Sequence, residues 1–213
     1  MTEIIKERTS PVKLPGRAVR TAVRDHWPVV LEYAEEGAGP WLVDLSHCRR
    51  WDIQGEQLNQ AVRGGLSVPA SPGEVMVRGG SLTGRTGARQ LLLWHLDGDA
   101  ARPEGRESTE ITEGTLCLAL IGKEIFRITE KLGDLDLADP ARTAPFLLLG
   151  PFAHVTSQII VLGRDPRSAV VLIACSRAFG RDMVQAIIGA GEEFGLRLAG
   201  EDRFKDALRS LSG

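Results

Sequence analysis

The feature that most constrains this chain is a set of short apolar runs in its second half, at 115–121, 145–149, 156–162 and 168–175, each bounded by glycine or proline turns. The longest unbroken one, 169–175, falls far short of the ~20 residues needed to span a bilayer. A run of that length between turn residues reads as a strand buried on both faces. After it, Ser176 is placed to cap a helix whose stripe of Phe179, Met183, Ile187, Ala190 and Phe194 ends at Gly195. That stripe needs a sheet to cover, and 196–198 offers a short final strand. Residues 115–198 therefore read as a split βαβ plan, an α+β layer.

The first half repeats the plan in shorter form. Strands are predicted at 29–33, 41–43 and 51–53, then a helix carrying Leu58, Ala61 and Val62 that breaks at Gly64-Gly65. Further strands follow at 74–78 and 90–96, with 79–87 between them as a flexible glycine-rich turn. In the second half a strand over 115–121, Gly122 and a helix with Ile125, Ile128 and Leu132 restart the sequence of elements. Two strand–glycine–helix units half a chain apart imply an internal duplication. The expected organisation is an N-terminal arm over 1–28, with Pro11, Pro15, Pro28 and a short helical turn at 17–24, then α+β halves at 29–108 and 109–213. The charged, Pro- and Gly-rich stretch 97–108 marks the boundary.

With 213 residues, 43% apolar and 25% charged, the chain suits one large domain or two small ones around a shared core. Lys plus Arg total 26 against 28 acidic residues, a net charge of −2. No positive field exists to hold a nucleic-acid backbone, so that partner is disfavoured. Cys48, Cys117 and Cys175 are an odd count with no CxxC pair, which points to a reducing compartment and to no disulfide framework. The first ten residues lack a signal-type apolar core, so the expectation is a cytoplasmic protein without a membrane segment.

Chemistry-bearing residues are sparse. His26, His47, His95 and His154 show no metal-ligand spacing. His47 and Cys48 are adjacent, and on a strand they would point to opposite faces, one buried and one exposed. Asp44 and Asp52 flank His47, Arg49 and Arg50, either as a carboxylate pair for proton transfer or as charges dressing strand ends. The 79–89 stretch, with Arg85 and Arg89, is either an anion-holding loop or a hairpin with solvated arginines. Asp134, Asp136 and Asp139 lack the glycine and glutamate of a calcium loop.

The run Trp41-Leu42-Val43-Asp44-Leu45-Ser46-His47, followed by Ile53-Gln54-Gly55, resembles a segment near the start of the glycine-cleavage T-protein (aminomethyltransferase) family. Cys117-Leu118-Ala119-Leu120-Ile121-Gly122 is similar to that family's turn before a helix. Ala190-Gly191, Phe194-Gly195-Leu196, Ala199-Gly200 and Asp206-Ala207-Leu208-Arg209 resemble the end of its folate-binding core. The resemblance covers about residues 20–210 and stops before the family's C-terminal β-barrel. With Ser176-Arg177-Ala178-Phe179 before the last predicted helix, the chain looks most like the sarcosine oxidase γ-subunit family.

The resemblance implies an α+β fold of two related halves of the folate-binding type, with tetrahydrofolate as the implied cofactor. The ligand is expected between the halves near Asp44, with Arg85 and Arg89 for its anionic tail. The family's acidic pair in the hairpin is replaced here by Gly84-Arg85-Thr86-Gly87, and its Tyr-Gly-Glu motif by Gly163-Arg164-Asp165-Pro166. Charge reversal at such a site implies a non-catalytic accessory subunit beside larger flavoprotein amine oxidase or dehydrogenase subunits. The alternatives are a small tetrahydrofolate-dependent transferase of aminomethyl or other one-carbon groups with a degenerate site, and a folate-sensing module.

Overall fold

A computed structural model describes residues 7–62, 66–97, 102–103 and 107–211. The predicted Gly64-Gly65 break and most of the 97–108 boundary lie outside the described residues. The chain opens with β1 (Ala18–Arg24), β2 (Trp27–Tyr33), β3 (Trp41–Asp44), β4 (Arg50–Gln54) and α1 (Leu58–Ala61). It continues through β5 (Val75–Arg78), β6 (Ser81–Gly87), β7 (Gln90–His95), β8 (Ser108–Glu110), β9 (Thr115–Gly122) and α2 (Ile125–Glu130). The last elements are β10 (Phe146–Phe152), β11 (Val155–Gly163), β12 (Ala169–Ser176), α3 (Gly180–Gly191), β13 (Arg197–Leu198) and α4 (Glu201–Ser210).

Three layers follow from side-chain alternation. β9 and β12 sit at the centre of a six-stranded sheet ordered β10-β11-β12-β9-β3-β13. Leu116, Leu118 and Leu120 of β9 join a core with Ile125 and Ile128 of α2 and Met183, Val184 and Ile187 of α3. The alternate residues, Cys117, Ala119 and Ile121, join a second core with Leu82, Leu92 and Trp94 of a five-stranded sheet and Phe204 and Leu208 of α4. That second sheet runs β5-β6-β7-β4-β8, and its outer face buries Trp51, Ile53, Leu91 and Leu93 with Leu58 of α1. The period of 2 in a fully apolar strand thus feeds two cores at once. β3, from the first half of the sequence, pairs with β9 inside the six-stranded sheet.

The result is an α+β architecture, as the sequence implies, with three local corrections. Residues 79–87 are not a flexible turn: only Gly79 and Gly80 turn, and β6 follows, paired with both β5 and β7. The arm holds no helical turn at 17–24, because that segment is β1, hydrogen-bonded antiparallel to β2. A terminal helix that no reading above anticipates, α4, packs Phe204 into the core and carries Glu201 buried at its first position. α3 itself stops at Gly191, and a 3-10 turn over Glu192–Phe194 carries the chain on to Gly195, which stands in the left-handed conformation at φ +72°. Met183 and Ile187 of its stripe are buried, whereas Phe179 is 45% exposed. Among the described residues no helix is long and apolar enough to cross a membrane.

Candidate functional site

The segment between β3 and β4 is a tight turn, and it gathers most of the chemistry. Asp44 ends β3, and its Oδ1 accepts the Ser46 amide at 2.9 Å, while the Cys48 amide donates to the Leu45 carbonyl at 2.9 Å. Arg50 then enters the core fully buried. Its guanidinium donates to the carbonyls of Leu45 (3.3 Å), Ser46 (3.2 Å), Cys48 (2.6 Å), Thr112 (3.0 Å) and Thr115 (3.1 Å), and its Nε to Thr115 Oγ1 (3.1 Å). A buried cation is costly unless its donors are met. Here they are met by the turn itself, so Arg50 fixes the path of 45–48. The sequence reading placed Arg50 among solvated strand-end charges; its true role depends on partners 62 to 65 residues away.

Because 45–49 is a turn and not a strand, His47 and Cys48 do not point to opposite faces. Both line one cavity of about 640 Å³, with Arg24, Asp25, Arg49, Glu201 and Lys205 among its walls. His47 Nε2 lies 3.0 Å from Glu201 Oε1 and 3.7 Å from Cys48 Sγ. Glu201, 3% exposed at its side chain, also meets Arg24 Nη2 at 2.6 Å and Lys205 Nζ at 3.6 Å. Burial pushes the His47 imidazole down, but the Cys48 sulfur and the Glu201 carboxylate outweigh it and hold the pKa up to about 10. Burial likewise pushes the Glu201 carboxyl up, and the combined charge of His47, Lys205 and Arg24 overcomes it and keeps the group below the usual carboxylate range. The Cys117 and Cys175 thiols are pushed up by burial, to about 12 and about 11.

His47 also walls a second cavity, of about 390 Å³, on its other side. This one is mostly apolar, enclosed by the 9–16 segment, by β2 and by Asp44 and Ala199. Ser10 Oγ donates to Asp44 Oδ2 at 2.5 Å. Trp27, 1% exposed, presents an indole N–H that has no hydrogen-bond partner. Burial, followed by the charges of Asp44 and Glu36, pushes the Tyr33 phenol up to about 12.

Asp44 lines the apolar cavity, and Arg85 and Arg89 do not. Arg85 closes the end of its own hairpin, donating to the carbonyls of Gly87 (3.1 Å), Pro69 (3.1 Å) and Ala88 (2.5 Å). Arg89 is 69% exposed and pairs with Glu56 at 3.1 Å. Asp52 accepts from Gln54 and Gln90 on the second sheet, apart from the partners of Asp44. No group of three or more His, Cys, Asp or Glu suited to a metal occurs among the described residues.

The layered sheets, the short helices and the cavities at the β3–β4 turn define an α+β protein with the folate-binding fold of the T-protein type. Among solved structures, the chain is similar to heterotetrameric sarcosine oxidase from Corynebacterium sp. U-96, in complex with pyrrole 2-carboxylate. That match has a TM-score of 0.61 and 17% identity over 76% of this chain and 91% of the other. It is also similar to the glycine cleavage system aminomethyltransferase T from Bartonella henselae, at a TM-score of 0.55 and 14% identity. There 93% of this chain is covered but only 61% of the aminomethyltransferase. At these identities the likeness is one of fold. No family model and no curated protein matches the sequence.

Proposed function

We propose that the chain is a non-catalytic, folate-binding-fold subunit of a flavoprotein amine-demethylating assembly of the sarcosine oxidase kind. The carrying observation is that the carboxylates around the β3–β4 turn are already engaged by the chain's own donors. Glu201 is held by His47, Arg24 and Lys205, Asp25 by Arg8 and Arg49, and Asp44 by Ser10 and Ser46. An amine substrate needs a carboxylate to hold it or take its proton. The likeness of fold to one chain of the sarcosine oxidase heterotetramer, over 76% of this chain and 91% of that one, supports the subunit reading. Three free thiols support a reducing, cytoplasmic setting.

A reduced folate is the cofactor that this fold implies, and the apolar cavity suits its heterocyclic head. Asp44 would accept from ring N–H groups, and the volume of about 390 Å³ falls in the range of small-molecule sites. That cavity is also what favours a second reading, a small tetrahydrofolate-dependent one-carbon transferase. Two measurements separate the readings. Co-expression with large flavoprotein amine oxidase subunits should yield a stable complex, and calorimetry with tetrahydrofolate should show at most binding. Conversion of tetrahydrofolate to its methylene form by the isolated chain from an added aminomethyl donor, whose amine is released, lost in Asp44→Asn, would replace the first reading with the second.

A further inference from the structure

Neither reading gives a ligand to the charged cavity that His47 and Cys48 share. All three cysteines are buried, Cys48 at 6%, Cys175 at 5% and Cys117 at 0%, and of the three Cys48 lines that cavity. The imidazole Nε2 of His47 stands 3.7 Å from the Cys48 sulfur and is anchored by Glu201 at 3.0 Å. Along the cavity wall Arg24 enters from β1, Arg49 from the turn and Lys205 from α4, and each is ion-paired there, with Glu201, Asp25 and Asp97 respectively. The raised pKa of His47 adds a fourth cation at neutral pH, so positive groups exceed carboxylates by one. Arg24 itself is 40% exposed and pairs with Glu201 through Nη2 at 2.6 Å. A sulfur beside an imidazolium and guanidinium groups is favoured as a nucleophile, because the negative charge that grows on it during attack is stabilised.

We infer that Cys48 is a thiol–disulfide exchange site selective for anionic low-molecular-weight disulfides. In the step, the Cys48 thiol releases its proton to the medium and its sulfur attacks one sulfur of the disulfide. A new S–S bond forms to Cys48, the S–S bond of the reagent breaks, and the second half leaves with the electron pair as a thiol. The disulfide itself is the oxidant. His47 is a positioning residue in this step: it places positive charge against the sulfur. The inference holds whether or not a folate enters the apolar cavity.

The test uses the whole chain with glutathione disulfide as the anionic reagent and cystamine as the cationic one, read by intact mass and peptide mapping. Glutathione disulfide should add one glutathione, on Cys48, about tenfold faster than cystamine adds at low salt. Raising the salt to about 0.5 M should narrow that ratio. Arg49→Gln, at a partly exposed position, should narrow it with an unchanged melting temperature. His47→Asn should slow the anionic reagent more than the cationic one, whereas a merely loosened fold would change both alike. Cys48→Ser should remove the adduct. First labelling of Cys117 or Cys175, equal rates for the two reagents, or no adduct on the folded chain would overturn the inference.

Discussion

The two cavities that share His47 are built from the same turn yet differ in kind. On one side the wall is completed by β1 and the first turns of α4, which supply Arg24, Glu201 and Lys205, and ion pairs fill the boundary. On the other side the wall is completed by the 9–16 segment and β2, which supply Val12, Leu14, Trp27 and Val29, and the boundary is apolar. The difference teaches that the turn sets position while the covering element sets chemistry. Asp44 and Glu201, one per cavity, illustrate it. Asp44 meets neutral hydroxyl and amide donors, whereas Glu201 meets cations.

The strongest way to break that contrast is to release the turn. Arg50→Ala strips five carbonyls and one hydroxyl of a charged donor in a fully buried place and leaves a void. Unmet buried acceptors and lost packing should together cost about 4 kcal/mol, measured as the change in urea unfolding free energy. Both cavities should lose their definition, so the variant should also lose the difference in reactivity between Cys48 and Cys175. A cost under about 1 kcal/mol would show that the turn holds itself.

The charged cavity should also make stability depend on pH in a way the apolar one does not. His47 is raised above its ordinary 6.5, so its contribution is complete below 6.5 and is lost as pH rises toward about 10. Glu201 is lowered from 4.5, so its contribution is complete above 4.5 and is lost as pH falls below it. The pair should be most stabilising between pH 4.5 and 6.5. Above that window stability should fall by up to about 1.4 kcal/mol per pH unit. Unfolding curves from pH 6 to 9 check this, and His47→Gln should flatten the slope.

Much of the fold was legible because apolar runs and their alternation are local. β9 and β12 could be read from composition, since a strand between two cores has no polar face to show. β6 was not legible, because its Ser81, Thr83 and Gly84 look like turn residues. Gly84 is there for close packing: a Cβ would come within 2.7 Å of Leu92 Cδ1. β1 hid because its partner β2 lies across a turn of Asp25 and His26 at positive φ, which neither residue type advertises. α4 did carry a signal, with Glu201 and Asp202 in its first turn and Phe204 and Leu208 one turn apart. Around the β3–β4 turn, the place of Asp44 at a strand end was local enough to read, but the partner of His47 lies 154 residues away. No local pattern reports a pair joined only by the packing of the last helix.

The finest test of the contrast lies in the apolar cavity, at Ser10. Its hydroxyl donates to Asp44 Oδ2 at 2.5 Å and accepts the Val12 amide at 3.2 Å, tying the 9–16 segment to the end of β3. Ser10→Ala removes a charge-assisted hydrogen bond between half-buried groups and the acceptor of the Val12 amide, and Asp44 keeps the Ser46 amide. The expected cost is about 1.5 kcal/mol, the lower end for a hydrogen bond to a charged group. Because Ser10 and Asp44 touch, a double-mutant cycle with Asp44→Asn should be non-additive by a similar amount, while a cycle pairing Ser10→Ala with Arg49→Gln should be additive. Freed of Ser10, Asp44 should also bind tetrahydrofolate more tightly by calorimetry if the hydroxyl competes with the ligand for that carboxylate. Coupling between Ser10 and Arg49 would mean that the two cavities are one energetic unit, and that His47 transmits between them where the geometry has it dividing them.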